Sequence, residues 1–182
     1  MSSQVRVYMA CSLDGCIAGP NDDLGFLHAP GPEDAGPADP DALGFEAFMA
    51  QVGAMLMGRR TFDIVQGMGV WPYGETPVLV ATHRPLRDAP PTVRAVSGTT
   101  AEVVAAAREA AGDKDVYVDG GDLVRKAMAA GLVDELCLTM VPVIVGAGGV
   151  RLFDGLDATI PMRVVSHHTF EQGMVQLTMR PR

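Results

Sequence analysis

The chain has 182 residues, 48% of them hydrophobic, and a formal net charge of −8 from 14 Lys and Arg against 22 Asp and Glu. That is enough apolar material for one ordinary domain, residues 1–182, with a core that needs no staples, and it excludes a chain disordered throughout. The acidic balance argues against nucleic-acid binding, which needs a basic stripe to neutralise phosphates, but the 14 Lys and Arg leave room for a local basic pocket that takes a small phosphorylated ligand.

Residues 1–6 lack an apolar signal segment, and no apolar run approaches the ~18 residues that a membrane span requires. A cytoplasmic protein with no membrane partner is expected. The three cysteines, Cys11, Cys16 and Cys137, form no CxxC and no disulfide framework, so buried free thiols are expected.

In chain order, residues 5–11 (VRVYMAC) predict a buried strand, broken by Ser12-Leu13-Asp14-Gly15 and resumed briefly at 16–18. Residues 28–41 are rich in Pro, Gly and acids; they predict a long loop, either a lid or disordered. His28 lies in it and would approach a substrate only if the loop closed. Asp39-Pro40 reads as a helix start, Asp at N-cap and Pro at N1, with Leu43, Phe45, Phe48, Met49 and Val52 on one apolar face. A second strand is predicted at 54–57, running directly into a helix at Gly58-Arg59-Arg60-Thr61-Phe62. Trp71 follows in a loop, as an active-site wall or a core filler. Strands are predicted at 77–81 and 93–96, then a helix from a Thr100 cap to Ala111 that Gly112 ends. Residues 116–118 predict a strand that turns through Asp119-Gly120-Gly121 into a helix over 122–130. A long strand at 135–145, interrupted by Pro142, and a hairpin over 163–180 around Gln172-Gly173 complete the pattern. His167 and His168 lie on a hairpin arm and so point to opposite faces, which suits a structural role better than a shared metal.

Strands alternating with helices, closed by a hairpin, define an α/β fold: a mixed, mostly parallel sheet flanked by helices, with an antiparallel end. Ligands of such sheets bind outside the carboxyl ends of the strands. Three of those ends carry glycines or arginines: Gly58-Arg59-Arg60-Thr61, Thr82-His83-Arg84 and Gly120-Gly121. Glycine lets a backbone approach a phosphate, a following helix presents free N–H groups, and arginine adds charge-assisted contacts. Each segment alone also reads as an ordinary turn or a solvated helix start, and GxGxxG and GxxxxGK[ST] are both absent. Together they point to a dinucleotide phosphate site.

The same segments, with Ser12-Leu13-Asp14-Gly15-Cys16-Ile17-Ala18, Leu132-Val133-Asp134-Glu135-Leu136, Val141-Pro142-Val143-Ile144-Val145-Gly146-Ala147-Gly148 and Leu152-Phe153, resemble the dihydrofolate reductase superfamily. Within it they look most like the reductase domain of the bifunctional riboflavin-biosynthesis deaminase/reductase and its stand-alone relatives. The resemblance runs in order over nearly the whole chain. It implies NADPH as hydride donor and an activity like that of 5-amino-6-(5-phosphoribosylamino)uracil reductase. By the same resemblance, Gly58, Arg59, Arg60 and Thr61 would hold cofactor phosphates, and Thr82, His83 and Arg84 the adenosine 2′-phosphate. Gly120, Gly121, Asp122 and Leu123 would underlie the pyrophosphate, Ala10 and Ile17 would flank the nicotinamide, and Val143 to Gly146 would lie near the cofactor. Arginines favour NADP over NAD, because a ribose 2′-OH prefers a carboxylate.

Asp41 stands near the acid that binds the pterin in true dihydrofolate reductases, although the fit needs an insertion and acids suit helix starts anyway. Asp14 either orients substrate or stabilises its own turn. These two are the candidate catalytic residues. The zinc-binding deaminase half is absent, so no metal is implied. Dihydrofolate reduction and non-catalytic dinucleotide binding stand as alternatives. The riboflavin-type relatives tend to pair, and Val164, Phe170, Val175 and Leu177 give the hairpin an apolar face, so a homodimer is expected.

Overall fold

Side chains alternate between the two faces of a strand. In β1 (Val5–Ser12), Val5 and Val7 are fully buried in one core, and Tyr8 packs into another. The computed structural model describes residues 3–28, 39–170 and 173–182. After β1 come β2 (Cys16–Ala18), α1 (Phe45–Met49), β3 (Val52–Gly58), α2 (Arg59–Gly67), β4 (Val78–Ala81) and β5 (Val93–Val96). Then follow α3 (Thr100–Ala111), β6 (Asp115–Asp119), α4 (Gly121–Ala129), β7 (Glu135–Val141), β8 (Val150–Arg151), β9 (Met162–Thr169) and β10 (Val175–Pro181).

The eight-stranded sheet has the order β5-β4-β3-β6-β1-β7-β10-β9. The run from β5 to β7 is parallel; β10 pairs antiparallel with both β7 and β9. β2 and β8 make a small antiparallel pair of their own. The fold is the expected mixed, mostly parallel α/β sheet. Its inner strands read as continuous apolar runs because helices cover both faces.

One core joins Val5, Val7, Leu56, Val116 and Val118 to Val103 and Val104 of α3 and Leu123 and Val124 of α4. The other joins Met55, Met57 and Tyr117 to Phe48 of α1 and Phe62 and Val65 of α2. Phe48 and Phe62 are fully buried, and truncating either to Ala would cost about 3–5 kcal/mol. Trp71 is a core filler of this second layer, edge-on to Phe62 and Tyr73.

The edge of the sheet away from the helix starts is closed by a buried ion cluster. The Arg6 guanidinium lies 2.7 Å from Glu135 and 3.2 Å from Asp115, and it donates to Gln51 at 2.8 Å. Arg180 binds the second Glu135 oxygen. These charges are mutually satisfied, as burial demands.

Several boundaries differ from the sequence expectation. The helix expected at Asp39-Pro40 begins instead at Phe45, with Gly44 as N-cap. Asp39 has other partners: one carboxylate oxygen accepts the Asp41 amide, the other bonds His168 at 2.8 Å, and its own N–H donates to the Thr169 carbonyl. Gln176 then takes both backbone groups of Leu43, so helix bonding cannot start before Gly44. The strand expected to reach residue 145 stops at Val141, because Pro142 has no N–H to donate. The helix expected over 122–130 is α4, one residue earlier at each end. The cap of α3 is Thr99, not Thr100, in a reciprocal box with Glu102. Thr99→Ala should cost about 1 kcal/mol, read as a lower midpoint in urea at unchanged slope. Residues 29–38 of the predicted loop and 171–172 of the hairpin turn lie outside the described residues.

Candidate active site

A cleft of about 860 Å³ runs across the carboxyl ends of β1, β3, β4, β5 and β6. That volume falls within the roughly 300–1,000 Å³ of small-molecule and cofactor sites. The starts of α2, α3 and α4 all face it. α3 satisfies its first turn with its own capping box. α2 and α4 begin at Gly58 and Gly120, and no side chain takes up their first-turn N–H groups. Two uncapped helix starts at one cleft form an anion cradle.

Glycine is needed there for two reasons. Gly120 has φ +93°, and a Cβ on it would strike the Thr61 hydroxyl oxygen. A Cβ on Gly121 would lie 2.7 Å from Ile17 Cδ1. The absence of both side chains lets α2, α4 and β2 close on one space.

Ala10, Ile17, Gly58, Arg59, Arg60, Thr61, Thr82, His83, Gly120, Gly121, Asp122 and Leu123 all line this cleft. Arg59 is held at its wall, donating to Asp63 at 2.7 Å and to the Pro85 carbonyl at 3.0 Å. Arg60 makes a two-point contact with Asp22, at 2.6 and 3.1 Å, which ties the segment after β2 to the start of α2. Asp22 was not anticipated from the sequence, and an anion in the cradle would compete with it for Arg60.

Arg84, Val143, Gly146, Asp14 and Asp41 are not among the lining residues. Arg84 is exposed, its amide turned back onto the Thr82 hydroxyl. Asp14 is a clasp. It accepts from the Ser12 hydroxyl at 2.6 Å and from the amides of Val145 and Gly146 at 3.0 and 2.9 Å. These bonds, Ser12 first, hold its carboxyl well below the usual range. Val143 and Gly146 thereby belong to a segment strapped to the β1–β2 turn, and the Val143 carbonyl accepts from Leu13. Asp41 is exposed. His28 is exposed too, while its neighbours Leu24 and Leu27 line the cleft.

Of the three acids that line the cleft, Asp22 pairs with Arg60 and Asp122 with Lys126; the third is Asp119, the last residue of β6. It shares a strand face with Tyr117, two residues back, and so looks toward the α2 layer. The Gly120 amide donates to its carboxylate at 2.7 Å. Burial pushes its pKa up to about 6, against that hydrogen bond, which favours the charged form. Tyr8 and Tyr73 stand in the same inner space, and the Tyr117 hydroxyl donates to the Tyr8 carbonyl at 2.8 Å. The sequence offered one signal for Asp119, an acid closing a strand immediately before Gly-Gly, where the glycines drew the attention.

A parallel sheet with one reversed strand near its edge, cut by a cleft across its carboxyl ends, is the fold of dihydrofolate reductases. The Enterococcus faecalis enzyme superposes with a TM-score of 0.65 over 100% of this chain and 98% of its own, at 16% identity. The chain belongs to the RibD C-terminal domain family, which matches residues 3–176. A putative riboflavin biosynthesis protein from Shewanella sp. PV-4 is 29% identical, with a TM-score of 0.82 over 98% of this chain and 99% of that one. The uncharacterized protein YyaP of Bacillus subtilis (strain 168) is 28% identical over 181 residues, 93% of this chain and 90% of its own.

Proposed function

We propose that the chain is an NADPH-dependent reductase of a small heterocyclic or carbonyl compound, related in its chemistry to 5-amino-6-(5-phosphoribosylamino)uracil reductase. The observation that carries this reading is the anion cradle at two uncapped glycine helix starts, opening beside a pocket that holds a half-buried acid. The dihydrofolate reductase of E. faecalis was solved in complex with NADP(H), and the fold is shared.

The residues present fit such a cofactor. The first turns of α2 and α4 would take the pyrophosphate, with Gly120 and Gly121 leaving it room. Arg59, Thr82 and His83 would take the 2′-phosphate, and Ala10 and Ile17 would border the nicotinamide. NADPH bound there supplies a hydride. A reduced C=O or C=N bond also needs a proton, and Asp119 is the group positioned to carry one, beside Tyr8, Tyr73 and Tyr117.

Asp41, on which dihydrofolate reduction would depend, stands outside the cleft, and Asp119 gives the cleft a reactive group that mere dinucleotide storage would not need. Among the described residues no helix is long and apolar enough to cross a membrane, and no cluster of His, Cys, Asp or Glu is placed to hold a metal. A cytoplasmic protein fits this reading. So does a homodimer: the edge strand β9 exposes Val164 and Val165 on the hairpin.

The test is thermal stability during titration with NADPH and, separately, NADH. A ligand that binds only the folded chain stabilises it by about 2.7 kcal/mol at a hundred times its Kd. NADPH should raise the melting temperature strongly and NADH weakly. Arg59→Ala should weaken NADPH roughly 10- to 100-fold, the worth of a charge-assisted contact, and leave NADH almost unchanged. Absence of a shift with either cofactor overturns the reading.

A further inference from the structure

The cleft has two unlike halves. All 14 Lys and Arg of the sequence lie among the described residues, so the cations that reach the cleft can be accounted for. They are Arg59 and Arg60 at the start of α2, and Arg125 and Lys126 in the first two turns of α4. His83 joins them from the end of β4. Arg59 and Arg60 directly follow Gly58, and Arg125 and Lys126 lie one turn beyond Gly120; Arg59 and Arg60 are each paired with an acid, Asp63 and Asp22. Arg125 donates to the carbonyls of Arg151 and Leu152, and Lys126 pairs with Asp122 at 2.7 Å. Arg60, the one cation that reaches toward the segment after β2, is matched by Asp22, and its side chain is 70% exposed.

The inner half lies on the α2 face of the sheet. It is lined by Tyr8, Ile64, Met68, Tyr73, Tyr117 and Asp119, with no Lys, Arg or His among them. Three aromatic side chains favour a flat partner that can stack or meet their edges. One carboxyl group favours a hydrogen-bond donor or a positive charge. A phosphate monoester carries about −1.5 to −2 at pH 7. Placed here it would lose its water with no cation to replace it, and it would face Asp119.

We infer that the compound reduced in this cleft is a planar ring compound without phosphate, neutral or cationic, seated among Tyr8, Tyr73 and Tyr117 and hydrogen-bonded to Asp119. The inference rests on the reductase reading above and sets this chain apart from reductases whose substrate carries a 5-phosphoribosyl group.

The experiment is calorimetric titration of the NADP⁺-saturated protein with a matched pair, 5-amino-6-(5-phosphoribosylamino)uracil and its dephosphorylated ribosylamino form. The form without phosphate should bind as tightly as the other, within about threefold, or more tightly. Binding of the phosphorylated form tighter by about tenfold or more overturns the inference, as does binding of neither. A Met68→Arg variant supplies the missing cation at a half-exposed position. It should shift the preference toward the phosphorylated form by about tenfold, and an unmoved preference overturns the placement of the substrate on this face. If NADP⁺ itself gives no binding heat and no thermal shift, the cofactor reading falls, and this inference with it.

Discussion

Asp119→Asn should abolish most turnover while making the protein more stable. Loss of a positioned proton donor lowers kcat by about 10²- to 10⁴-fold. NADPH affinity should stay within about twofold, because Asn can still accept the Gly120 amide and the anion cradle is untouched. With Asp119 as the proposed proton donor, kcat of the parent should fall as pH rises through about 6, and a general base would give the opposite slope. The stability effect has its own sign. The folded pKa of Asp119 lies above the unfolded value of about 3.9, so the folded state binds the extra proton between those two values. Stability therefore declines as pH rises from about 4 to about 6 and stays at the lower level above. The Asn variant lacks this decline. It should be more stable than the parent by up to about 3 kcal/mol at pH 8, with little difference near pH 4. Urea unfolding at the two pH values measures this. A variant less stable at pH 8, or one with full activity, removes Asp119 from the proposed chemistry.

Gly120→Ala should damage stability and cofactor binding together. The backbone at φ +93°, ψ 126° suits glycine almost alone, and forcing another residue there costs about 1–3 kcal/mol. The new Cβ would also meet the Thr61 oxygen, on the first turn of the helix that faces the cradle. Any relief that pushes α2 away from α4 opens the cradle, so the NADPH-induced rise in melting temperature should vanish. Gly121→Ala makes a useful contrast. Its Cβ meets the end of the Ile17 side chain, which can turn aside, and the backbone there needs no unusual φ. It should keep more of the stabilisation by NADPH than Gly120→Ala does. Adding Thr61→Ala to Gly120→Ala should recover the steric part of the loss and leave the backbone strain, a separation that double-variant unfolding curves can resolve.

Much of this was legible locally. The apolar runs of β1, β3, β4 and β6 announce buried parallel strands because burial on both faces leaves no polar alternation. Gly58 and Gly120 mark strand-to-helix turns, and their place in the chain order puts them at one edge of the sheet. The start of α1 was misread because Asp39-Pro40 has the residue types of a helix start. Its carboxylate is instead taken by His168, 129 residues away. Asp14 and Asp41 were chosen as acids near the right motifs, and the structure puts neither in the cleft lining. Asp14 serves amides 131 and 132 residues distant, and Asp41 faces solvent.

What the sequence by itself determined was therefore most of the elements, their order and the edge of the sheet on which the cleft opens, since hydrophobic periodicity and glycine turns act over a few residues. The tertiary structure alone decided which carboxylate is buried in the cleft and which is a clasp. A carboxylate's character depends on how much water it loses and on which N–H groups point at it. For Asp119 the loss of water comes from side chains on β1, β6 and the α2 layer, brought together only by folding. The gathering of Tyr8 and Tyr117 on the α2 side of the sheet has the same origin, because the face toward which a strand's side chain points is set by its strand's place in the sheet.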